Sequence, residues 1–225
     1  MNYACIPLMF CALSLPCAAW SPQVHALQTR VAKGLIPTAM ARFIEQHEAV
    51  LLEASGLGNA EVPSPEDVEA QFLKVLKISE DGRQSKEIVR ELGRLGNMAQ
   101  LLTDPSATGG FTFTRRVFSD FADEHYKRLV AVNEPLFAVK GELSPRSALQ
   151  VWSRVKYERY RILSDYVHPE TGARIGVWDT LSVPFANMQL GFSSGVNATA
   201  NLWILAWRAA GDLWAPESVS NSNSK

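Results

Sequence analysis

The sequence predicts an all-α fold, a multi-helix bundle of about six to eight helices in one domain. Between Ile88 and Leu102, apolar residues recur every three or four positions along a single helical face. Ser-Pro pairs at 21, 64 and 144 place a capping serine before a proline, which is a typical helix start. No segment alternates apolar and polar residues for long enough to indicate a sheet.

The first half of the chain is divided by these starts and by glycine or proline stops. A helix begins at Ser21-Pro22 and ends between Gly34 and Pro37. A second is predicted from about Thr38 to Ser55, with the next glycine as its stop. Two further helices begin at Ser64 and Ser85, and the second of these ends before Pro105.

Three helices are predicted in the second half. One runs from about Thr114 to Phe137 with Leu129 and Val132 inside, and one runs from Ser144 through Ile162 to about Tyr166. A turn follows at 168–172. Residues 175–186 are extended or irregular, and the last helix is predicted over 187–212.

Residues 1–19 predict an export signal, because they contain no Asp, Glu, Lys or Arg and include an apolar run from Ile6 to Leu15. That run is too short to span a bilayer. Small residues at the end predict cleavage after Ala19, so the mature chain begins at Trp20 and is periplasmic or secreted. Lipidation of Cys17 is the open alternative. The predicted organisation is a signal peptide over 1–19, a helical domain over 20–215 and a disordered tail over 216–225.

Composition excludes several classes of function. All three cysteines lie in the predicted signal, so the mature chain can form no disulfide and no Cys-ligated metal site. The net charge is −1, from 22 basic and 23 acidic residues, which gives no strong nucleic-acid or membrane signature. The partner remains unknown from sequence.

Motif searches identify no catalytic residue. The chain has no GxSxG, P-loop, HExxH or Gly-rich dinucleotide turn. Its four histidines are all more than four positions apart, so no helix face offers two histidines to one metal. His25, however, follows Trp20 closely. A free α-amino group and carbonyl at Trp20, with the imidazole of His25, could supply three metal ligands. The alternative is that His25 is an ordinary partly buried histidine and Trp20 a surface anchor.

The stretch from Trp20 to His25 resembles the mature N-terminus of the zinc-dependent phospholipase C and P1/S1 nuclease superfamily. Residues 35–53 resemble uncharacterised bacterial members, and 178–182 and 200–211 resemble the closing segments of the group. The resemblance implies an all-α phosphoesterase fold in which the N-terminal tryptophan and the first-helix histidine bind zinc.

At the positions that match the family's other zinc ligands, this chain departs from the pattern. The resemblance implies His-x-x-x-Asp motifs on a central and a final helix, with a further histidine after the first motif. The matching positions carry neutral or apolar side chains, which are weak zinc ligands or none: Asn97, Leu101, Thr103, Ser194 and Ala198. The family's trinuclear cluster also needs more histidines than the four present. We therefore expect no cofactor, or a single zinc on Trp20, His25 and a distant carboxylate such as Asp104 or Asp179.

Three functions remain from the sequence. The leading hypothesis is a non-catalytic or weakly catalytic relative that has lost its zinc cluster and binds a ligand or partner. The alternative is a zinc-dependent phosphodiesterase or phospholipase acting on lipid or nucleic-acid phosphoesters. The third is a metal-free hydrolase in which His25 works with an Asp or Glu as general base.

Overall fold

A computed structural model of the chain describes residues 20–56, 62–107, 112–132 and 162–211, with the backbone alone at 112–114. The described residues are mostly helical, which confirms the all-α prediction. The α-helices, in chain order, are α1 (Pro22–Lys33), α2 (Thr38–Glu45), α3 (Glu48–Ser55), α4 (Pro65–Glu80), α5 (Ser85–Thr103), α6 (Thr112–His125) and α7 (Val183–Ala210). The predicted signal peptide, the tail over 216–225 and most of the helix predicted from Ser144 lie outside these ranges.

Serine caps start three of the helices. The Ser21 hydroxyl accepts a hydrogen bond from the Val24 amide at the start of α1. Ser64 and Asp67 form a reciprocal capping box at the start of α4. At α7 the cap is Ser182, which lies N-terminal to the predicted start at 187. The prediction of an extended or irregular segment over 175–186 is therefore wrong for 183–186, which form the first turn of α7.

The single helix predicted over 38–55 is wrong, because the chain breaks at Gln46 and His47 into α2 and α3. The His47 imidazole lies 2.8 Å from the Ser85 hydroxyl at the start of α5. This contact joins the break between α2 and α3 to the start of α5. Helices α3 and α5 pack closely, because a Cβ added at Gly93 of α5 would lie only 2.6 Å from the Leu51 carbonyl oxygen of α3.

The helix predicted over 114–137 is also wrong at its C-terminal end. α6 ends at His125, a 3-10 turn follows at Tyr126–Arg128, and residues 129–132 run alongside α7. We call 129–132 the strap. Leu129 is buried as predicted, whereas Val132 is 64% exposed and does not lie inside.

Side chains of α7 hold the strap in place. The Val130 amide donates to the Gln189 side-chain oxygen (3.0 Å), and the Val132 amide donates to the Ser193 hydroxyl (2.9 Å). The Asn197 amide group donates to the Val132 carbonyl (2.8 Å). These α7 residues are four positions apart, a rise of about 6 Å. That rise nearly matches two residues of extended chain, about 6.6 Å, so Gln189 and Ser193 reach alternate strap residues.

The segment before α7 is irregular, in agreement with the prediction for its first part. Gly172 has φ +69° and its amide donates to the His168 carbonyl, which confirms the predicted turn. Arg174 pairs with both carboxylate oxygens of Glu124 on α6. Of the helix predicted to run through Ile162, the structure describes the end: Ile162 is 44% exposed, while Leu163 is buried.

The core is centred on α5 and α7, which pack closely at small residues. A Cβ at Gly96 of α5 would lie 3.1 Å from the Thr199 methyl group of α7. The Trp203 indole N–H donates to the Leu92 carbonyl (2.9 Å) in this interface. Among the described residues, no helix combines the length and apolar character that a membrane crossing needs.

Candidate functional site

The predicted metal residues Trp20 and His25 both lie inside the bundle. Trp20 precedes the cap of α1 and is 2% exposed, so the prediction that it is a surface anchor is wrong. His25, in the first turns of α1, is 1% exposed. The Ser21 hydroxyl between them donates to the Asp123 carboxylate, which links the start of α1 to α6. The start of α1 is therefore fixed against its neighbours.

His25 is part of a short chain of neutral hydrogen bonds. Its Nδ1 lies 2.5 Å from the Gln100 side-chain oxygen on α5, and the Gln100 amide group donates to the Thr29 hydroxyl (3.1 Å). Burial lowers the pKa of His25 to about 4, and the Gln100 hydrogen bond opposes this only in part. The imidazole is therefore neutral at pH 7, with its Nδ1–H donating to the Gln100 side-chain oxygen and its Nε2 unprotonated.

Gln28 lies one turn further along α1 and contacts α7. Its amide group donates to the Phe192 carbonyl (3.3 Å). A Cβ added at Gly195 would lie 2.3 Å from the Gln28 side-chain nitrogen and 3.2 Å from the Thr103 hydroxyl. Gly195 is therefore required for this approach, because any larger residue would displace the Gln28 amide.

The Trp20 ring occupies the neighbouring position along α7. A Cβ added at Gly191 would lie 3.5 Å from Trp20 Cζ2 and 2.6 Å from the Pro105 ring. Since Gly191 and Gly195 are one helical turn apart, Trp20 and Gln28 line the same interface. We call Trp20, His25, Gln28, Gln100 and Thr103 the polar interior, which is enclosed by α1, α5 and α7.

The predicted family positions are only partly brought together. Thr103 belongs to the polar interior, where its hydroxyl donates to carbonyls of the preceding turn. The Asn97 amide group instead donates to the Ser55 carbonyl (2.6 Å), toward α3. Leu101 is buried in a small separate cluster with Ala107. Ser194 is half-buried, and Ala198 is buried in the main core.

Sequence reasoning missed Gln100, the residue that contacts His25. A signal for α5 was present. Gly93, Gly96, Gln100 and Thr103 form a second stripe of small and polar residues beside the apolar face. Such a stripe indicates a helix that packs closely on both sides.

The candidate carboxylates lie outside this hydrogen-bonded chain. Asp104 is buried at the end of α5, where one oxygen accepts from both the backbone and the hydroxyl of Ser106 (2.7 Å each). Asp179 is exposed, and its carboxylate accepts from the Leu181 amide in the loop before α7. Asp104 and Asp179 thus serve local turns.

The other histidines have separate surroundings. His47 contacts the first residue of α5, about 22 Å along that helix from Gln100. His125 packs edge-on against Phe121, with ring centroids 4.6 Å apart. Within the described parts of the chain, no three His, Cys, Asp or Glu side chains are grouped closely enough to hold a metal ion.

The polar interior does not fit the zinc cluster that the resemblance implies. The groups next to His25 and Gln28 are neutral. The Gln100 amide contacts His25, the Phe192 carbonyl accepts from Gln28, and Gly195 has no side chain, whereas zinc prefers thiolate, imidazole and carboxylate. Only His25 in the polar interior is in the state that a zinc-binding histidine needs, because its Nδ1–H donates to Gln100 and its Nε2 is unprotonated.

No family model matches the chain, and comparison with curated proteins and with solved structures finds no match. The relationship to the phospholipase C and P1 nuclease group therefore stays a prediction from the residues quoted above.

Proposed function

We propose that this chain is an exported helical domain of the phospholipase C/P1 nuclease type that lacks the zinc cluster, is non-catalytic or weakly catalytic, and acts by binding a ligand or partner. One observation carries the proposal: the neutral hydrogen-bonded chain from His25 through Gln100 to Thr29. In that chain, an amide holds the imidazole nitrogen that a zinc-binding relative would orient with a carboxylate or carbonyl.

The contact between Gln28 and Gly195 supports the same proposal. A metal cluster in this interface would need ligands on α7 facing α1. At Gly195 there is no side chain, and the Gln28 amide fills the space where a Cβ would lie. The interior is packed by neutral groups whose hydrogen bonds stabilise the bundle.

Metal analysis of the purified full chain tests the proposal directly. After incubation with zinc and removal of free metal, we expect fewer than two zinc ions per chain. His25→Ala serves as the matched variant, because it removes the best single ligand. Two or more tightly held zinc ions per chain that depend on His25 would overturn the proposal.

A zinc-dependent phosphodiesterase is the second candidate, and it is favoured by one observation. The His25 Nε2 is buried, unprotonated and has no hydrogen-bond partner in the described structure. This is the form in which an imidazole binds zinc. A single zinc on His25 and Trp20 could activate water for attack on a lipid or nucleic-acid phosphodiester.

Hydrolysis of a chromogenic phosphodiester in the presence of zinc separates the two candidates. The second candidate predicts turnover that a chelator abolishes and that His25→Ala removes. We expect no such turnover. Turnover that survives the chelator would contradict the phosphodiesterase candidate, and rapid turnover of that kind would also contradict the leading proposal and favour metal-free hydrolysis.

Export is tested by the N-terminus of the protein recovered from the periplasm or medium. We expect mass spectrometry to find Trp20 as the first residue. A chain that keeps residues 1–19, or a lipid on Cys17, would contradict cleavage after Ala19.

A further inference from the structure

Three buried polar atoms of the polar interior have no hydrogen-bond partner among the described residues. They are the Trp20 indole nitrogen, the His25 Nε2 and the Gln28 side-chain oxygen. Each belongs to a side chain that is at least nine-tenths buried. Buried polar groups in folded proteins are almost always paired, because an unpaired one loses its bonds to water without replacement.

The three side chains lie close together in the chain, and two of them pack against α7. His25 and Gln28 are three positions apart on the same face of α1. Gln28 lies against Gly195 and Trp20 lies against Gly191, and these glycines are about 6 Å apart along α7. Trp20 and Gln28 therefore lie along one side of α7, while His25, one turn from Gln28, is bonded to α5.

Their chemistry identifies the kind of molecule that would pair them. The Trp20 indole nitrogen can only donate a hydrogen bond. The His25 Nε2 and the Gln28 side-chain oxygen are acceptors, because the His25 Nδ1–H donates to Gln100 and the Gln28 side-chain nitrogen donates to the Phe192 carbonyl. A metal cation could not accept the indole proton. An anion could not donate to the two acceptors. Water can accept the indole proton and can donate to either acceptor, so one or more water molecules would pair all three atoms.

We propose that the polar interior is a binding site for ordered water, held by Trp20, His25 and Gln28. The site differs from the metal site that the resemblance implies, because it uses an indole N–H and an amide oxygen in place of charged ligands. The inference is independent of the proposed function, since a domain without enzymatic activity and a working enzyme could both hold this water.

Water relaxation dispersion on the full chain, which counts long-lived internal waters, tests the proposal with two matched variants. Trp20→Phe and Trp203→Phe each remove one buried indole N–H. Trp203 already donates to the Leu92 carbonyl, so its loss should leave the water signal unchanged. We expect Trp20→Phe to lose at least one long-lived water. An unchanged signal in folded Trp20→Phe would overturn the proposal.

If Trp20→Phe does not fold, a crystal structure of the unaltered chain grown with zinc decides the question. Water within hydrogen-bonding distance of the His25 Nε2, about 2.7–3.2 Å, supports the proposal. An anomalous zinc peak at that nitrogen, or a protein atom bonded to it, would overturn it. A zinc peak would also count toward the phosphodiesterase candidate, whereas a protein atom would leave the proposed function unaffected.

Discussion

The contact between Gln28 and Gly195 makes a quantitative prediction about how α1 packs on α7. An alanine at 195 would place its Cβ 2.3 Å from the Gln28 side-chain nitrogen, which is too short for two non-bonded atoms. Gln28 is fully buried, so its amide has little space to move into and would lose its hydrogen bond to the Phe192 carbonyl. Gly195→Ala should therefore destabilise the protein, although alanine is the better helix former.

The magnitude follows from three terms. Overpacking a buried site costs about 1–3 kcal/mol. Loss of the Gln28 hydrogen bond costs about 1 kcal/mol. Replacing a helical glycine by alanine returns about 1 kcal/mol. We expect Gly195→Ala to lower the free energy of unfolding by about 1–3 kcal/mol.

Urea unfolding of a double-mutant cycle measures this effect. In a Gln28→Ala background the obstacle is gone, so Gly195→Ala should be neutral or stabilising, and the coupling should be about 2 kcal/mol or more. Gly93→Ala is the matched control. Its obstacle is the Leu51 carbonyl of α3, so Gln28→Ala should not rescue it. Equal costs of Gly195→Ala in the two backgrounds would refute the packing described for α1 and α7.

Two further predictions concern His25 and the strap. Burial holds the pKa of His25 near 4 in the folded chain, against 6.5 when it is exposed. The unfolded chain therefore binds a proton first as the pH falls. The free energy of unfolding should drop by roughly 3 kcal/mol between pH 6.5 and 4, and His25→Phe should remove that slope. An NMR titration midpoint of the His25 ring near 6.5 would contradict this. For the strap, Ser193→Ala should speed hydrogen exchange more at the Val132 amide, whose acceptor it removes, than at Val130, whose carbonyl accepts from the same hydroxyl. Gln189→Ala should speed exchange more at the Val130 amide. Equal acceleration at both amides in either variant would show that the two α7 side chains do not hold them separately.

Part of the candidate site could be predicted from sequence. The spacing of Trp20 and His25 identified two of its members, and the family positions added Thr103. The stripe on α5 contained Gln100, but spacing alone does not tell a buried amide from a solvated one. Asn97 illustrates the difficulty, because it is buried and polar yet bonds Ser55 on another side of α5.

The helical class and several helix starts were determined by the sequence itself. Ser21 and Ser64 act on amides within the next turn, and the apolar face of α5 repeats with the helical period. These are interactions between near neighbours in the chain, so a pattern of residue types is enough to predict them.

Tertiary structure alone decided where helices break and what surrounds His25. The helix predicted over 38–55 is interrupted at Gln46 and His47, next to Ser85. The backbone amides of Val130 and Val132 donate to α7 side chains instead of to a helix. Likewise, Gln100 reaches His25 across 75 positions of the chain. Each outcome depends on a partner from a distant segment. Local propensity cannot specify such a partner, since the contact exists only once the helices have packed.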